Sequence, residues 1–175
     1  MGLRVLDIIE ETMVDGPGFR TAIYVAGCAH ACPGCHNPES WSMDGGRWMT
    51  TEELLVVIAR DPWADVTLTG GDPLYQPEGV AELARAVKQR TGKSVWCYTG
   101  FLYEEVAAHP LRRKVLDWVD VLVDGPYKAA LRTTQLPFRG STNQRLVDVR
   151  ASLAAGAVVE YGGVGWNADF RGLSG

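Results

Sequence analysis

Asp65-Val66-Thr67-Leu68-Thr69-Gly70-Gly71-Asp72 is the stretch on which the fold turns. It is a strand-forming run that stops at a glycine pair. Ser94-Val95-Trp96-Cys97-Tyr98 repeats the pattern and ends at Gly100, and Val119-Asp120-Val121-Leu122-Val123 repeats it again, ending at Asp124-Gly125. Between the first two, Pro77 to Thr91 carries Val80, Leu83, Ala84 and Val87 at helical spacing, and Leu111 to Trp118 reads as a second helix. Strand starts at 65, 94 and 119 stand 29 and 25 residues apart, the length of a strand-helix-strand crossover. The spacing predicts an α/β fold with a mostly parallel sheet, covering helices and right-handed crossovers. Ligands in such sheets sit at the carboxyl ends of strands, and here those ends read Gly27-Cys28, Gly70-Gly71-Asp72, Thr99-Gly100 and Asp124-Gly125.

Upstream, Leu3 to Ile9 alternates like a strand, Asp15-Gly16-Pro17-Gly18 makes a turn, and Arg20 to Ala26 is a second strand. Residues 27–49 read as one long functional loop. Thr50 with Glu53 three places on is a capping box that opens a helix running to about Ala59. Downstream, Leu146 to Val149 reads as a short strand and Ala151 to Ala155 as a helical turn. A glycine-rich stretch, Gly162-Gly163-Val164-Gly165, begins a tail expected to be loosely ordered. The organisation expected is one domain over residues 1–150, followed by an unassigned tail over 151–175.

Of the 175 residues, 46% are hydrophobic and 22% charged, the composition of a globular chain. Seventeen Lys and Arg against 21 Asp and Glu leave a net charge of -4. The densest basic cluster, Arg112-Arg113-Lys114, is too short for the stripe that grips phosphates, so nucleic acid is not expected as a partner. The longest aliphatic run, Leu54 to Ala59, falls far short of the roughly 20 residues of a membrane span, so no membrane is expected. Asp7, Glu10, Glu11 and Asp15 crowd the start, with no cleavable apolar stretch. Four cysteines in such a chain point to a reduced, cytoplasmic protein whose thiols bind metal or do chemistry.

Three of the four stand together: Cys28, Cys32 and Cys35 form C-x3-C-x2-C. A [4Fe–4S] cluster normally takes four thiolates, so three leave one iron open to an outside ligand. The alternative is zinc, with His30, His36 or Cys97 as fourth ligand, in a non-enzymatic interaction module; zinc motifs more often show two separated C-x2-C pairs, and no second pair exists. Cys97, in an apolar strand, reads as a small buried residue. His30 and His109 read as ordinary loop and helix-end histidines.

The C-x3-C-x2-C loop resembles that of radical S-adenosylmethionine enzymes. The fuller string from Gly27 to Pro38 resembles the activating proteins of anaerobic ribonucleoside-triphosphate reductase. So do Val14 to Arg20 before it and Thr69-Gly70-Gly71-Asp72-Pro73-Leu74 after it. Tyr98-Thr99-Gly100, Leu122 to Gly125 and Arg139 to Gln144 complete six motifs in family order over residues 3–149. The resemblance implies a partial (β/α) barrel of the radical S-adenosylmethionine type. It also implies a [4Fe–4S] cluster on Cys28, Cys32 and Cys35 whose open iron takes the amino and carboxylate groups of S-adenosylmethionine. One electron, from a reductant such as flavodoxin or ferredoxin, would then release a 5′-deoxyadenosyl radical that removes a hydrogen atom from a glycine of the large reductase subunit.

Site residues follow from the same resemblance. Gly70, Gly71 and Asp72 match the segment that binds the methionine amino group, with Thr99 at the next strand end. Gly34, Cys35 and His36 match the stretch that wraps adenine, although the family commonly puts an aromatic residue where His36 stands. Asp124 is either a turn-capping residue or a carboxylate near the methionine carboxylate or an associated cation. Asp15 is either a turn residue or a catalytic-site residue facing the substrate glycine loop. Other targets fit the same chemistry: another glycyl-radical enzyme, or a small molecule.

Overall fold

A computed structural model of the chain describes residues 1–163. Its strands are β1 (Gly2–Thr12), β2 (Arg20–Val25), β3 (Arg47–Thr50), β4 (Asp65–Gly70), β5 (Val95–Tyr98), β6 (Val121–Asp124) and β7 (Arg145–Asp148). They form one seven-stranded sheet in the order β3-β1-β2-β4-β5-β6-β7. The alternation after residue 65 becomes its middle: β2, β4, β5 and β6 are parallel neighbours. β1 runs against β2 and β3, and β7 against β6. Strands β2 to β6 therefore share one direction and β1 and β7 the other. Among the described residues β3 and β7 are not paired with each other, so the sheet is open.

The helices are α1 (Thr51–Ile58), α2 (Pro77–Thr91), α3 (Tyr103–Ala108), α4 (Arg113–Leu116) and α5 (Val149–Ala155). The capping box is present: the Glu53 amide donates to the Thr50 hydroxyl at 3.2 Å, and the Thr50 amide to the Glu53 carboxylate at 2.7 Å. Helix α2 stops at Gly92, whose φ of +70° closes the helix by a left-handed turn that a side chain would strain. Alternation along the strands splits the core. Val66, Leu68, Val95, Cys97 and Leu122 face the helices and pack with Leu83, Ala84 and Val87 of α2. Trp96, Val121, Val123 and Leu146 face the other way, under Tyr98, Phe138 and Tyr161. Each fully buried large apolar side chain contributes about 1.5–3 kcal/mol, and the two-faced burial holds the strand ends in register.

Two expectations need adjustment. The loop expected over 27–49 ends in an edge strand, β3, which pairs with β1 from Gly2–Thr50 to Val5–Arg47; four residues are too few to show a period. The helix expected from Leu111 to Trp118 is only the four residues of α4, preceded by α3. His109, extended at ψ 122° ahead of Pro110, separates the two, because proline disfavours helical backbone in the residue before it. Beyond β7, α5 is followed by a bridge between Val147 and Glu160, and Tyr161 packs edge-on to Trp96 at 5.5 Å. The remainder of the expected tail, 164–175, lies outside the described residues. Among those described, no helix is long and apolar enough to cross a membrane.

Candidate active site

The carboxyl ends of β2, β4, β5 and β6 open onto one cavity of about 260 Å³. Its walls include Cys28, Cys32 and Cys35, backbone of Gly70, Gly71, Gly100 and Gly125, and the side chains of His36, Tyr98, Tyr127 and Gln144. The chain leaves β2 at Gly27, whose φ is +97°. It returns through a short 3-10 turn at Pro38–Trp41. Gly27 N–H to Ser40 O, 2.8 Å, and Cys28 N–H to Trp41 O, 3.2 Å, close this excursion at its neck. Inside it, Cys35 N–H donates to Cys32 O at 3.0 Å, and Asn37 N–H points at the Cys35 sulfur from 3.5 Å. All three thiols are free and partly exposed. Burial pushes the Cys28 thiol up to about 11, with the neighbouring Asp72 and cysteines adding to it.

The donor chemistry of these residues suits an iron–sulfur cluster, although among the described residues no three Cys, His, Asp or Glu side chains are gathered closely enough to hold a single metal ion. Three free thiols share one cavity, and the candidates for a fourth protein ligand are largely engaged. Cys97 is fully buried on the helix side of the sheet. His30 commits its Nε2 to the Asp72 carboxylate at 2.7 Å. His36 stays at the cavity wall, its ring 5.0 Å from that of Tyr127. Gly34 beside it has φ +76°, a conformation that glycine takes without cost.

Asp72 is the hub of the site. It is 1% exposed. One carboxylate oxygen accepts from the Thr99 hydroxyl (2.9 Å), the Gly100 amide (2.9 Å) and His30 (2.7 Å). The other accepts from the Leu74 amide at 2.9 Å. A side chain that only accepts is what four converging donors require. Thr99 is occupied too, since its hydroxyl accepts from the Phe101 amide at 3.1 Å. The His30 ring is wedged edge-on against Phe101 (4.4 Å) and Tyr75 (5.5 Å), and a Cβ on Gly100 would lie 2.6 Å from it. The carboxylate therefore ties together the end of β4, the end of β5 and the cysteine loop. Sequence reasoning missed His30: 42 residues separate it from Asp72, and no local pattern marks such a pair.

The glycine pair has a reason that the sequence did not display. A Cβ on Gly71 would lie 2.6 Å from Gly27 O and 2.9 Å from Ser40 O, and one on Gly70 2.4 Å from the Val25 nitrogen. Both glycines line the cavity, but their missing side chains make room for β2 and the neck of the cysteine loop.

Asp124 and Asp15 stand apart. Asp124 is fully buried and does not line the cavity. Its carboxylate accepts from the Tyr103 amide at 2.7 Å and from two nitrogens of Arg145. Asp15 accepts from the hydroxyls of Thr12 and Tyr24, each at 3.2 Å; burial, then Asp15, pushes the Tyr24 phenol up to about 12. The far wall is pinned by Gln144, whose Oε1 accepts from the Gly140 and Ser141 amides and whose Nε2 donates to Gly125 O.

A family model described as a 4Fe-4S single cluster domain matches residues 14–147. Three curated relatives carry the name anaerobic ribonucleoside-triphosphate reductase-activating protein. The chain is 39% identical over 139 residues to that of Enterobacteria phage T4, covering 76% of this chain and 86% of the relative. It is 36% identical over 140 residues to that of Salmonella typhimurium and 35% identical over 141 to that of Escherichia coli K12, each covering 75% of this chain and 90% of the relative. Among solved structures, QueE from Escherichia coli aligns with a TM-score of 0.48 at 20% identity, over 57% of this chain and 53% of QueE.

Proposed function

The chain belongs to the anaerobic ribonucleoside-triphosphate reductase-activating protein family, and we propose that it installs a glycyl radical on the large subunit of such a reductase. The observation that carries the reading is that three free thiols and the open strand ends share one cavity. In this proposal Cys28, Cys32 and Cys35 hold the [4Fe–4S] cluster and leave one iron for S-adenosylmethionine. The bound pair supplies one-electron cleavage of the sulfonium bond and hence the hydrogen-abstracting radical.

The chain's own residues position and enclose. The backbone of Gly70, Gly71 and Gly100 offers a wall without side chains for the methionine end of the cofactor. Gly34, His36 and Tyr127 form the opposite wall, where the tilted rings suit adenine. Asp72 and Thr99 contribute by holding the walls in place. Asp15, which accepts from Thr12 and Tyr24, and Asp124, which accepts from Arg145, stand outside the cavity wall and hold the frame behind it. The open sheet with its second, inward face under Tyr98 and Phe138 supports a partial barrel, formed by residues 1–150, with one side left for a macromolecular substrate. The reductase needs such an approach; a small substrate would need it covered.

The test is anaerobic. Reconstituted protein should carry one cluster; Cys28→Ala, Cys32→Ala and Cys35→Ala should each abolish it, and Cys97→Ala should not. With reductant, S-adenosylmethionine and the large subunit, electron spin resonance should show a carbon-centred glycyl radical on that subunit. Normal cofactor cleavage without that radical would redirect the protein to another glycyl-radical enzyme or a small molecule.

A further inference from the structure

We infer that the flank of the cysteine loop built on Arg112, Arg113 and Lys114 is where a small acidic electron-carrier protein docks to reduce the cluster. The inference rests on the cluster proposed at Cys28, Cys32 and Cys35. In a chain of net charge -4, three successive cations open α4. Among the described residues none of the three forms an ion pair. Arg113 and Lys114 are exposed. The positive end of the patch lies at Arg112 and Arg113, because Lys114 shares its groove with Glu78, Glu82 and Asp117. Leu111, 38% exposed, directly precedes Arg112 in the chain and supplies an apolar contact. A basic spot with an apolar neighbour suits the small, charge-steered interfaces of redox partners.

What singles out this patch is its connection inward. The Arg112 guanidinium lies over Phe101, 3.7 Å from the ring centre, and its Nε donates to Leu74 O at 3.2 Å. Phe101 in turn packs at 4.4 Å against His30, two residues from both Cys28 and Cys32. A guanidinium and two rings therefore run in unbroken contact from the surface to the cysteine loop. Neither Arg112 nor Phe101 lines the cavity, so a carrier seated here leaves the cavity mouth to the reductase. The step is a single electron transfer. The carrier's reduced flavin or iron–sulfur centre is oxidised by one electron, the [4Fe–4S] cluster goes from the 2+ to the 1+ state, and no bond changes.

Reconstituted holoenzyme is mixed anaerobically with photoreduced flavodoxin, an acidic one-electron donor, and cluster reduction is followed by stopped-flow absorbance. Arg113→Glu should slow the second-order rate about tenfold at low ionic strength, and the gap should close in high salt. Arg150→Glu, an exposed position on α5, changes the net charge equally and should match the wild type. Dithionite, which needs no docking site, should reduce all three proteins alike. Wild-type rates for Arg113→Glu with flavodoxin, or equal slowing in Arg150→Glu, would overturn the docking site. A wild-type protein that binds no cluster would overturn the cluster reading, and the docking with it.

Discussion

The ends of β4 and β6 look alike in sequence and differ in use. Each pairs a glycine backbone at the cavity with an aspartate that is 1% exposed or less. Asp72 is surrounded by neutral amides, a hydroxyl and a histidine. Asp124 meets a guanidinium that it shares with Glu104. The first carboxylate holds the cysteine loop against two strand ends. The second ties β6 to β7 and to the start of α3 and touches nothing of the loop. A strand-end aspartate in a parallel sheet is thus no sign of a ligand by itself; the donors around it decide what it does.

The largest expected effect tests that difference directly. Asp72→Ala would leave up to four donors without an acceptor in a buried place, a loss of about 3–5 kcal/mol. Thermal unfolding should drop by roughly 10 °C, and cluster loading on reconstitution should fall with it. Asp124→Ala should lose about 2 kcal/mol, because Arg145 keeps Glu104 and some contact with water, and its cluster loading should stay at the wild-type level. Asp72→Asn should recover part of the loss, since its amide oxygen accepts but its NH2 must face a donor. Equal cluster loading in the two alanine variants would erase the distinction between the two strand ends.

Much of this was legible in the sequence, and the rest had a physical reason to be hidden. The β4-α2-β5 unit could be read because periodicity, Pro77 and Gly92 all act within a few residues of each other. That three cysteines would share one loop at the strand ends could be read because their spacing is local. The His30–Asp72 bond, the ring of His30 against Gly100 and the Arg145–Asp124 pair join segments 42, 70 and 21 residues apart, and no local pattern carries them. Gly71 lines the cavity at the strand end where the sequence placed it, but the reason for a glycine there was hidden, because the atoms its side chain would strike belong to Gly27 and Ser40.

A smaller effect sharpens the comparison on the side of β4. Gly100→Ala puts a methyl group 2.6 Å from the His30 ring, and the ring cannot move without breaking its bond to Asp72 or its packing on Phe101. The expected cost is about 1–3 kcal/mol. In a His30→Ala background the methyl meets no ring, so the same substitution should then cost little. A double-mutant cycle on thermal or denaturant unfolding measures the coupling. Additive costs would mean that the penalty at Gly100 does not come from the His30 ring, and that the ring is not held against it.

The smallest effect belongs to β6. Glu104 is 58% exposed, and its hydrogen bonds to Arg145 hold its carboxyl below the ordinary range. A folded-state pKa below the unfolded value gives stability that is present above about pH 4.3 and lost as pH falls through the folded value. An exposed pair of this kind contributes about 0.2–1 kcal/mol. Glu104→Gln should therefore be slightly less stable than the wild type at neutral pH, the difference should vanish as pH falls through the lowered folded-state value, and 1 M salt should shrink the neutral difference. Glu104 also lies in the first turn of α3, where a negative charge is favoured for a separate reason. Repeating the substitution beside Arg145→Met separates the two: if the neutral-pH difference survives there undiminished, Arg145 serves Asp124 alone and the shared guanidinium at the β6 end is a geometric coincidence.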